Sequence, residues 1–525
     1  MTFENNRKLF RLEWESVNAG IIALALIAII WSIEQFLVQG ATLTPDMAIG
    51  EMRQLKREAV RFLINLSFAS FLVFILPKRI LLILFGLSCL MDSGLIAYHR
   101  YFHQPLSHFT LTSHLNESVE VAGAFADYFP TKIFLLLGAG MIIKGVLLFQ
   151  VKRVEKRAKL VDRKIGLVSG VAYLIAVFLL VFYIRPMGEL KSWKSTSWFG
   201  GIYGYGITWL GESYYLGSNA SLLQYANALS EPEREPRPSP ISHLDFIGNN
   251  HIVVVQCESL SYWASTNMVQ EGRQLMPFLN ELREASLVIR IEPIHRVGSS
   301  DADFCFLTSK FPNGKVTPYK IVGFDYSNAL PFLIGKLGYT SHFFHGNRGT
   351  FFARREPCQS MGFDDVSFQE ELEARGLPRS KWGVFDHDVF STSSSLLKAA
   401  IQPAFHFIIS LTTHSPFNFL PAEYASEIHK DSDKLNRYYN SMRYLDDCLN
   451  KYYSQLPNGT WLILYGDHGP GFRKEESGLS ERVPFIVARK NFRVKQSILY
   501  DFNADQFDLL DMSKFFRAEL KENVP

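Results

Sequence analysis

An aspartate and a histidine stand side by side after an apolar run late in the chain. The run covers residues 461–464, and Asp467-His468 follow it between Gly466 and Gly469. A short, continuous apolar run of this kind predicts a buried strand, and open α/β sheets present their chemistry at the C-terminal ends of such strands. Carboxylate and imidazole groups are both ligands for divalent metals. The pair therefore predicts half of a divalent-metal site.

Other residues capable of chemistry follow three further strand-like runs. These are Glu258 after residues 252–256, His345 after 339–344 and His414 after 405–411. A buried acid at a strand end needs a compensating charge, which a metal cation would supply. The histidines could ligate metal, hold phosphate oxygens or donate a proton to a leaving alkoxide. Arg354 could neutralise a phosphate or an acidic head group. A lone histidine is usually structural, but this set favours a site.

A turn of small residues, Ser299-Ser300-Asp301, precedes another apolar stretch and predicts the start of a helix. Backbone N–H groups at a helix start can hold an anion, and a hydroxyl coordinated by a divalent cation becomes a usable nucleophile. Considered alone, the turn is explained more simply by Ser300 or Asp301 capping the helix.

The first 185 residues predict a membrane domain with five spans. Each span is apolar enough to cross a hydrocarbon core of about 30 Å, although the second is short unless its flanks join it. A cleavable signal peptide is disfavoured because no small-residue cleavage site follows the first span. Glu34, Asp92 and Lys144 lie inside spans, and we expect interhelical pairing of these groups, or snorkelling near a helix end, rather than a transport role. The spans are residues 21–38, 62–76, 80–97, 133–149 and 166–184.

The placement of lysine and arginine predicts the orientation of these spans. Basic groups at residues 7–11, 78–79 and in the loop 151–164 fall on one side, which the positive-inside rule makes cytoplasmic. Five spans then place everything after residue 185 outside the cytoplasm. A nucleic-acid-binding role for the basic loop is disfavoured by a net charge of only +3.

The remainder of the chain predicts a linker and an outer domain. Residues 186–242 are rich in aromatics and glycine and end in a Pro/Glu-rich stretch, so we expect them to lie along the membrane surface as an interfacial linker. Residues 243–525 predict an α/β domain with a mixed, largely parallel sheet between helices. Within it, residues 431–455 repeat large apolar side chains at helical spacing and predict an amphipathic covering helix. The scattered cysteines predict free, buried thiols.

Taken together, the motifs resemble those of lipoteichoic acid synthase-type enzymes, membrane phosphoglycerol transferases of the sulfatase/alkaline phosphatase superfamily. The resemblance implies an α-helical membrane domain of five spans and an extracytoplasmic α/β domain of alkaline phosphatase/sulfatase-like fold. The motifs that carry it are Glu258-Ser259, Ser299-Ser300-Asp301, His345-Gly346-Asn347, residues 412–417, Gly466-Asp467-His468 and residues 482–485.

The resemblance also implies roles for individual residues. One divalent ion, usually Mn²⁺ in the relatives with Mg²⁺ or Zn²⁺ as alternatives, would be held by Glu258, Ser299, Asp467 and His468. Ser299 stands at the nucleophile position, where the relatives carry threonine. The positions that contact phosphoglycerol in the family are His345, Arg354 and His414. Two departures affect the head-group pocket: Phe352 stands for an expected tryptophan, and Gly471-Phe472 stand for an expected serine.

The implied activity is transfer of phosphoglycerol from phosphatidylglycerol to a glycan or polymer acceptor through a phosphorylated serine. The implied location is the bacterial cell (inner) membrane, with the catalytic domain on the extracytoplasmic face. A phosphoethanolamine transferase acting on a cell-envelope lipid or glycan is the nearer alternative, and a non-catalytic sensor of phosphorylated ligands is the second. Sulfate-ester hydrolysis is disfavoured because neither proline nor arginine stands at the expected positions after Ser299.

Overall fold

The structure is a computed structural model of the chain, and it forms two compact units. The first comprises Met1–Thr112 and Tyr128–Ser218, and the second comprises Ser113–Asp127 and Asn219–Pro525. The residues described are 3–43, 51–102, 105–113, 129–151, 156–178, 196–228, 237–242, 244–266, 269–270, 272–314, 316–421, 424, 434–471, 482–494 and 507–521.

The regular secondary structure of the first unit, among its described residues, consists of helices. Four of its helices contain segments long and apolar enough to cross a membrane: Ala19–Thr42, Gln54–Ile75, Lys78–Arg100 and Thr131–Gln150. The helices are α1 (Phe3–Thr42), α2 (Glu51–Ile75), α3 (Lys78–Phe102), α4 (His108–Ser113), α5 (Thr131–Gln150), α6 (Lys156–Phe178) and α7 (Thr196–Leu216).

Four of the five predicted spans are therefore found, and the second gains the flanking residues it needed. The fifth prediction, residues 166–184, is helical as far as Phe178 within α6, and residues 179–184 lie outside the described part of the chain. The basic stretch predicted as a loop over residues 151–164 is helical from Lys156 onward, because α6 begins there.

The ionisable residues inside the spans are paired between helices, as the sequence predicted. Lys144 on α5 forms an ion pair with Glu34 on α1, and the Lys144 side chain is only 2% exposed. Asp92 on α3 accepts hydrogen bonds from Gln35 Nε2 at 2.6 Å and from Ser88 Oγ at 3.1 Å. Each charge in this cluster has a polar partner within the unit.

The second unit alternates strands and helices. Its first helices and strands are α8 (Asn219–Ala228), β1 (Ile252–Cys257), α9 (Tyr262–Ser265), β2 (Val269–Gln270), β3 (Arg273–Gln274), α10 (Pro277–Glu284), β4 (Leu287–Ile291), α11 (Ser300–Thr308), α12 (Leu330–Lys336) and β5 (Thr340–His345). Its later elements are α13 (Arg355–Ser360), β6 (Asp365–Ser367), α14 (Gln369–Ala374), α15 (Asp386–Ala399), β7 (Ala404–Ile409), α16 (Lys434–Gln455), β8 (Trp461–Gly466), β9 (Val483–Arg489) and α17 (Leu509–Lys521).

Seven strands form one sheet in the order β4-β9-β8-β1-β7-β5-β6. Strands β8, β1, β7, β5 and β6 each pair in parallel with the next in this order. Strand β9 pairs antiparallel with both of its neighbours, β4 and β8. Every residue of β1, β7 and β8 is buried, which explains their nearly unbroken apolar sequences because helices cover both faces of such a sheet.

Alternate residues of the central strands pack into two separate apolar clusters, one on each face of the sheet. Val254 of β1 packs in one apolar cluster, and its neighbour Val255 packs in another. The predicted covering helix corresponds to α16, whose side chains Tyr439, Met442 and Leu445 are buried in the second cluster. The described cysteines are all buried, free thiols.

The boundary between the two units falls after Ser218, inside the predicted linker 186–242. Part of that linker, residues 186–195 and 229–236, lies outside the described residues. The interfacial position of the linker stays a prediction.

Candidate metal centre and active site

The parallel pairing of β1 and β8 brings two acids together. Cys257 at the end of β1 lies opposite Gly466 at the end of β8, so Glu258 and Asp467 leave the sheet side by side. Ligand atoms of Glu258, Asp467 and His468 all lie within 4.8 Å of one another, and the three residues are buried. The sequence prediction that these separate strand ends meet is therefore confirmed.

A close backbone approach holds Asp467 in place. A Cβ on Gly466 would lie 2.0 Å from the carbonyl oxygen of Leu260, so only glycine fits there. Asp467 Oδ1 accepts hydrogen bonds from the backbone N–H groups of Ser259 at 2.8 Å and His468 at 2.7 Å. Its second oxygen, Oδ2, is buried and has no hydrogen-bond partner among the described residues.

The orientation of the His468 ring suits a metal ligand. Its Nδ1 donates to the carbonyl oxygen of Gly469 at 2.7 Å, which leaves Nε2 directed at Glu258 Oε1, 3.2 Å away. Metal-ligating histidines commonly fix their second nitrogen by such a bond to a carbonyl. Although burial alone would lower it, the neighbouring carboxylates of Asp467 and Glu258 raise the pKa of His468 to about 10.

The two carboxylates of this site respond in opposite directions. Burial would raise the pKa of Glu258, but His468, His414 and the hydroxyl of Ser259 hold that pKa well below its usual range. Burial and the nearby charge of Glu258 raise the pKa of Asp467 well above its ordinary value. The chemistry of this donor set fits a divalent cation, because two buried carboxylates share one imidazole and one carboxylate oxygen has no hydrogen-bond partner.

Ser299 lies at the start of α11, with its hydroxyl unused for capping. It occupies the N-cap position and makes no side-chain capping hydrogen bond. Gln256 Nε2 donates to the backbone carbonyl of Ser299 at 3.3 Å, which ties the serine to the end of β1. Asp301, rather than Ser300, organises the turn, because its Oδ2 accepts from the N–H groups of Arg296 at 2.7 Å and Val297 at 2.6 Å.

An aromatic ring closes the other side of this turn. A Cβ on Gly298 would lie 3.0 Å from Cζ of Phe352, so the ring packs directly against the residue before Ser299. Phe352 has φ 56° and the following Ala353 also has φ 56°, a left-handed conformation that side-chain-bearing residues rarely adopt. Phe352, which stands in place of the expected tryptophan, therefore still places an aromatic side chain beside the turn that carries Ser299.

Arg354 and His345 form a second buried group. Arg354 is 1% exposed, and it donates from Nε and Nη2 to the two carboxylate oxygens of Asp303, at 3.0 and 3.2 Å. Its Nη1 lies 3.5 Å from Nε2 of His345, whose Nδ1 donates to the carbonyl of Ile409 at 3.2 Å. Burial and the charge of Arg354 lower the pKa of His345 to about 3. His345 is thus neutral and suited to binding rather than to proton donation.

His414 reaches the site through the loop after β7. Thr413 Oγ1 donates to the carbonyl of Glu258 at 2.7 Å, which fastens this loop to the metal-ligand cluster. The His414 Nδ1 donates to the carbonyl of Ser415 at 2.8 Å. The ring of Trp382 packs on His414 with a centroid separation of 4.2 Å.

Three residues near the site were missed from the sequence. Asp303 anchors Arg354, His295 stacks on His468 at 4.1 Å between ring centroids, and Trp382 covers His414. An acid within the apolar stretch 302–307 was a usable signal for Asp303, because a buried carboxylate needs a partner. His295 and Trp382 had no motif to mark them.

Comparison with known proteins shows a family match over the second unit. Residues 250–505 match the sulfatase family. The lipoteichoic acid synthase of Staphylococcus saprophyticus is 25% identical over 268 residues, covering 48% of this chain and 40% of that protein. Lipoteichoic acid synthase 2 of Bacillus subtilis is 25% identical over 228 residues, covering 42% of this chain and 35% of that protein. The match thus spans less than half the length of these curated relatives.

One solved structure resembles both units together. The integral membrane protein lipooligosaccharide phosphoethanolamine transferase A from Neisseria meningitidis aligns over 95% of both chains, with a TM-score of 0.50 and 14% identity. This likeness concerns the fold alone. Together with the sulfatase-family match, it confirms the expected fold class: apolar N-terminal helices followed by an alkaline phosphatase/sulfatase-like α/β domain.

Proposed function

We propose that this chain, whose residues 250–505 match the sulfatase family, is a metal-dependent membrane phosphotransferase. It takes phosphoglycerol from phosphatidylglycerol and passes it to a hydroxyl of a glycan or polymer acceptor. The observation that carries this proposal is the cluster Glu258, Asp467 and His468, with all ligand atoms within 4.8 Å and Asp467 Oδ2 lacking a hydrogen-bond partner among the described residues.

Four residues would hold the divalent ion: Glu258, Asp467 and His468 through the atoms described above, and Ser299 through its hydroxyl. When bound there, the ion would act as a Lewis acid toward phosphoryl oxygens and lower the pKa of a coordinated hydroxyl. Mn²⁺ is the first choice, with Mg²⁺ and Zn²⁺ as alternatives, because mixed carboxylate and imidazole donors accept all three.

Ser299 is the nucleophile of this proposal. Its Oγ attacks the phosphorus of the donor lipid, forming an Oγ–P bond while the bond from phosphorus to the diacylglycerol oxygen breaks. The proton that the serine loses ends on the diacylglycerol oxygen as it leaves. In the second half-reaction an acceptor hydroxyl attacks the same phosphorus, the Oγ–P bond breaks, and the acceptor's proton ends on Ser299 Oγ, which restores the free serine. The Ser299 hydroxyl makes no capping hydrogen bond, which supports this role.

The head-group pocket supports glycerol over ethanolamine. Its proposed members His345, Arg354 and His414 bring no negative charge to a bound head group. The nearby carboxylate of Asp303 is engaged by Arg354 and by the hydroxyl of Tyr319 at 2.9 Å. An ammonium would favour a free carboxylate beside it, whereas glycerol hydroxyls need ordinary hydrogen-bond partners.

The test uses the full-length protein in detergent micelles with Mn²⁺ and fluorescent phosphatidylglycerol or phosphatidylethanolamine. We expect diacylglycerol release from phosphatidylglycerol, weak release from phosphatidylethanolamine, and none from the Ser299→Ala variant. Mass spectrometry of the active-site peptide should find one phosphoglycerol group on Ser299.

Three results would contradict parts of the proposal. Undiminished release by Ser299→Ala would remove the serine from the nucleophile role and make Ser300 the next choice. A preference for phosphatidylethanolamine would change the donor and leave the metal–serine chemistry intact. Ligand binding without turnover of either lipid would favour a non-catalytic sensor.

A further inference from the structure

Trp382 lies at the edge of the proposed head-group pocket. It belongs to the turn between α14 and α15, is 4% exposed, and packs its ring on His414 with a centroid separation of 4.2 Å. Leu411 lies in the same apolar cluster, with Phe419 packed against it. The indole is therefore a fixed wall beside a residue of the pocket.

Two glycines press this turn against the loop that carries His345. A Cβ on Gly383 would lie 2.2 Å from the carbonyl oxygen of Gly346, and a Cβ on Gly346 would lie 2.4 Å from that of Val384. The N–H of Val384 donates to the carbonyl of Gly346 at 2.9 Å. Trp382 is consequently held by backbone contacts to the His345 loop on one side and by its own ring to His414 on the other.

The indole N–H of Trp382 is buried and has no hydrogen-bond partner among the described residues. Trp461 shows the usual arrangement, since its Nε1 donates to the carbonyl of Asp245 at 3.0 Å. Buried polar groups are nearly always paired, and leaving one unpaired is costly, so each exception calls for a reason. A hydrogen bond from this N–H to an oxygen of the bound substrate would be such a reason.

We propose that Trp382 Nε1 donates a hydrogen bond to a hydroxyl of the glycerol head group and so helps select the donor lipid. This inference rests on the proposed function. An indole N–H can only donate, and an ammonium can also only donate. Trp382 can thus pair with a glycerol hydroxyl but not with the amine of ethanolamine. Selection by a buried polar group of this kind is stronger than selection by an apolar wall.

The matched variants are Trp382→Phe and Trp461→Phe in the full-length protein. The first keeps a ring on His414 but, like Trp461→Phe, removes part of a buried indole, so its melting temperature should fall by what the lost volume costs and by less than that of Trp461→Phe. The KM for phosphatidylglycerol should rise about 3- to 10-fold, with kcat changed less, and the KM for phosphatidylethanolamine should hardly change. Trp461→Phe loses a structural hydrogen bond, so its melting temperature should fall while both KM values stay the same.

A second measurement follows the indole N–H signals of ¹⁵N-tryptophan-labelled protein. The chain has eight tryptophans, and the signal that is missing from the spectrum of Trp382→Phe is assigned to Trp382. Added sn-glycerol 1-phosphate should shift this signal, and ethanolamine phosphate should leave it in place. If the unmodified protein releases diacylglycerol from neither lipid, the proposed function fails, whereas the indole response still decides the binding claim.

An unchanged KM for phosphatidylglycerol in a folded Trp382→Phe variant would overturn the inference. An equal rise in KM for both lipids would also overturn it, since the N–H would then act on a group common to the two donors. The absence of any indole shift with glycerol phosphate would contradict it independently.

Discussion

Both units of this protein bury a cluster of charged side chains, but only one of the clusters is compensated internally. In the first unit, called the membrane unit below, Lys144 pairs with Glu34, and Asp92 receives hydrogen bonds from Gln35 and Ser88. In the second unit, called the outer unit after its predicted location, two carboxylates share His468, and one oxygen of Asp467 has no hydrogen-bond partner among the described residues.

This difference separates a structural cluster from a functional one. Burying a charge is expensive unless it is paired. The membrane cluster meets that cost with its own side chains, so it can stabilise helix packing without a ligand. The cluster of the second unit has two carboxylates for one imidazole, so both carboxylates can be charged together only when a cation balances them. Arg354 with Asp303 behaves like the membrane pair, although it lies in the outer unit.

The largest effect should come from Asp467→Asn. The variant keeps the shape of the side chain but removes the charge that the cation would balance, so transfer of phosphoglycerol should fall at least about 1000-fold. The melting temperature of the metal-free protein should not fall, because a buried, poorly paired carboxylate has been removed. Activity assays and thermal unfolding of the chelated protein check both parts. Near-normal turnover would show that the cluster is structural after all.

Lys144→Met should lower the stability of the protein, in contrast to Asp467→Asn. It leaves Glu34, whose side chain is 15% exposed, without its partner inside a predicted membrane span, which costs about 3–5 kcal/mol of stability. The double variant Glu34→Gln with Lys144→Met should recover most of the loss, because the charge is gone as well. Unfolding in detergent micelles, followed by circular dichroism, measures the two values. If the single variant is as stable as the unmodified protein, the membrane pair is not the structural element described here.

Arg354→Lys probes the compensated pair of the outer unit. Lysine keeps the positive charge opposite Asp303 but cannot make two parallel hydrogen bonds, so the variant should lose about 2 kcal/mol of stability. If Arg354 also contacts the donor phosphate, the KM for phosphatidylglycerol should rise as well. Denaturant unfolding and steady-state kinetics separate the two effects, and a loss of stability with unchanged KM would make Arg354 purely structural.

The smallest effect concerns Asp446, whose carboxylate oxygens accept from the N–H groups of Phe278 and Leu279 at the start of α10, both at 2.9 Å. Burial raises the pKa of Asp446 to about 6, above its unfolded value of about 3.9. The folded state then binds more protons in between, so this group contributes most stability below about pH 4 and loses it as the pH rises through 6. Asp446→Asn should flatten the stability–pH curve there by about 1 kcal/mol per pH unit. An unchanged slope would contradict the shift.

The sequence predicted the elements of the site better than its connections. Apolar runs marked β1, β5, β7 and β8. The polar residues at the ends of these runs, namely Glu258, His345, His414 and Asp467, lie at the same edge of the sheet because parallel strands end there. Strand periodicity and the spacing of α16 are local properties, which the sequence displays directly.

The identity of the long-range side-chain partners in the second unit was beyond prediction. Asp303 and Arg354 are 51 residues apart and meet only through the fold. Trp382 packs on His414 while Gly383 and Gly346 hold its turn against the His345 loop, and nothing local in the sequence identifies either contact. The number of membrane spans differed by one because the end of the fifth falls outside the described residues.

Metal analysis of the purified full-length protein tests the central claim most directly. We predict about one divalent ion per chain in the unmodified protein, almost none in Asp467→Asn, and an unchanged content in the double variant of Glu34 and Lys144. Unmodified protein that holds no divalent ion, and that binds none when Mn²⁺, Mg²⁺ or Zn²⁺ is added, would contradict the account.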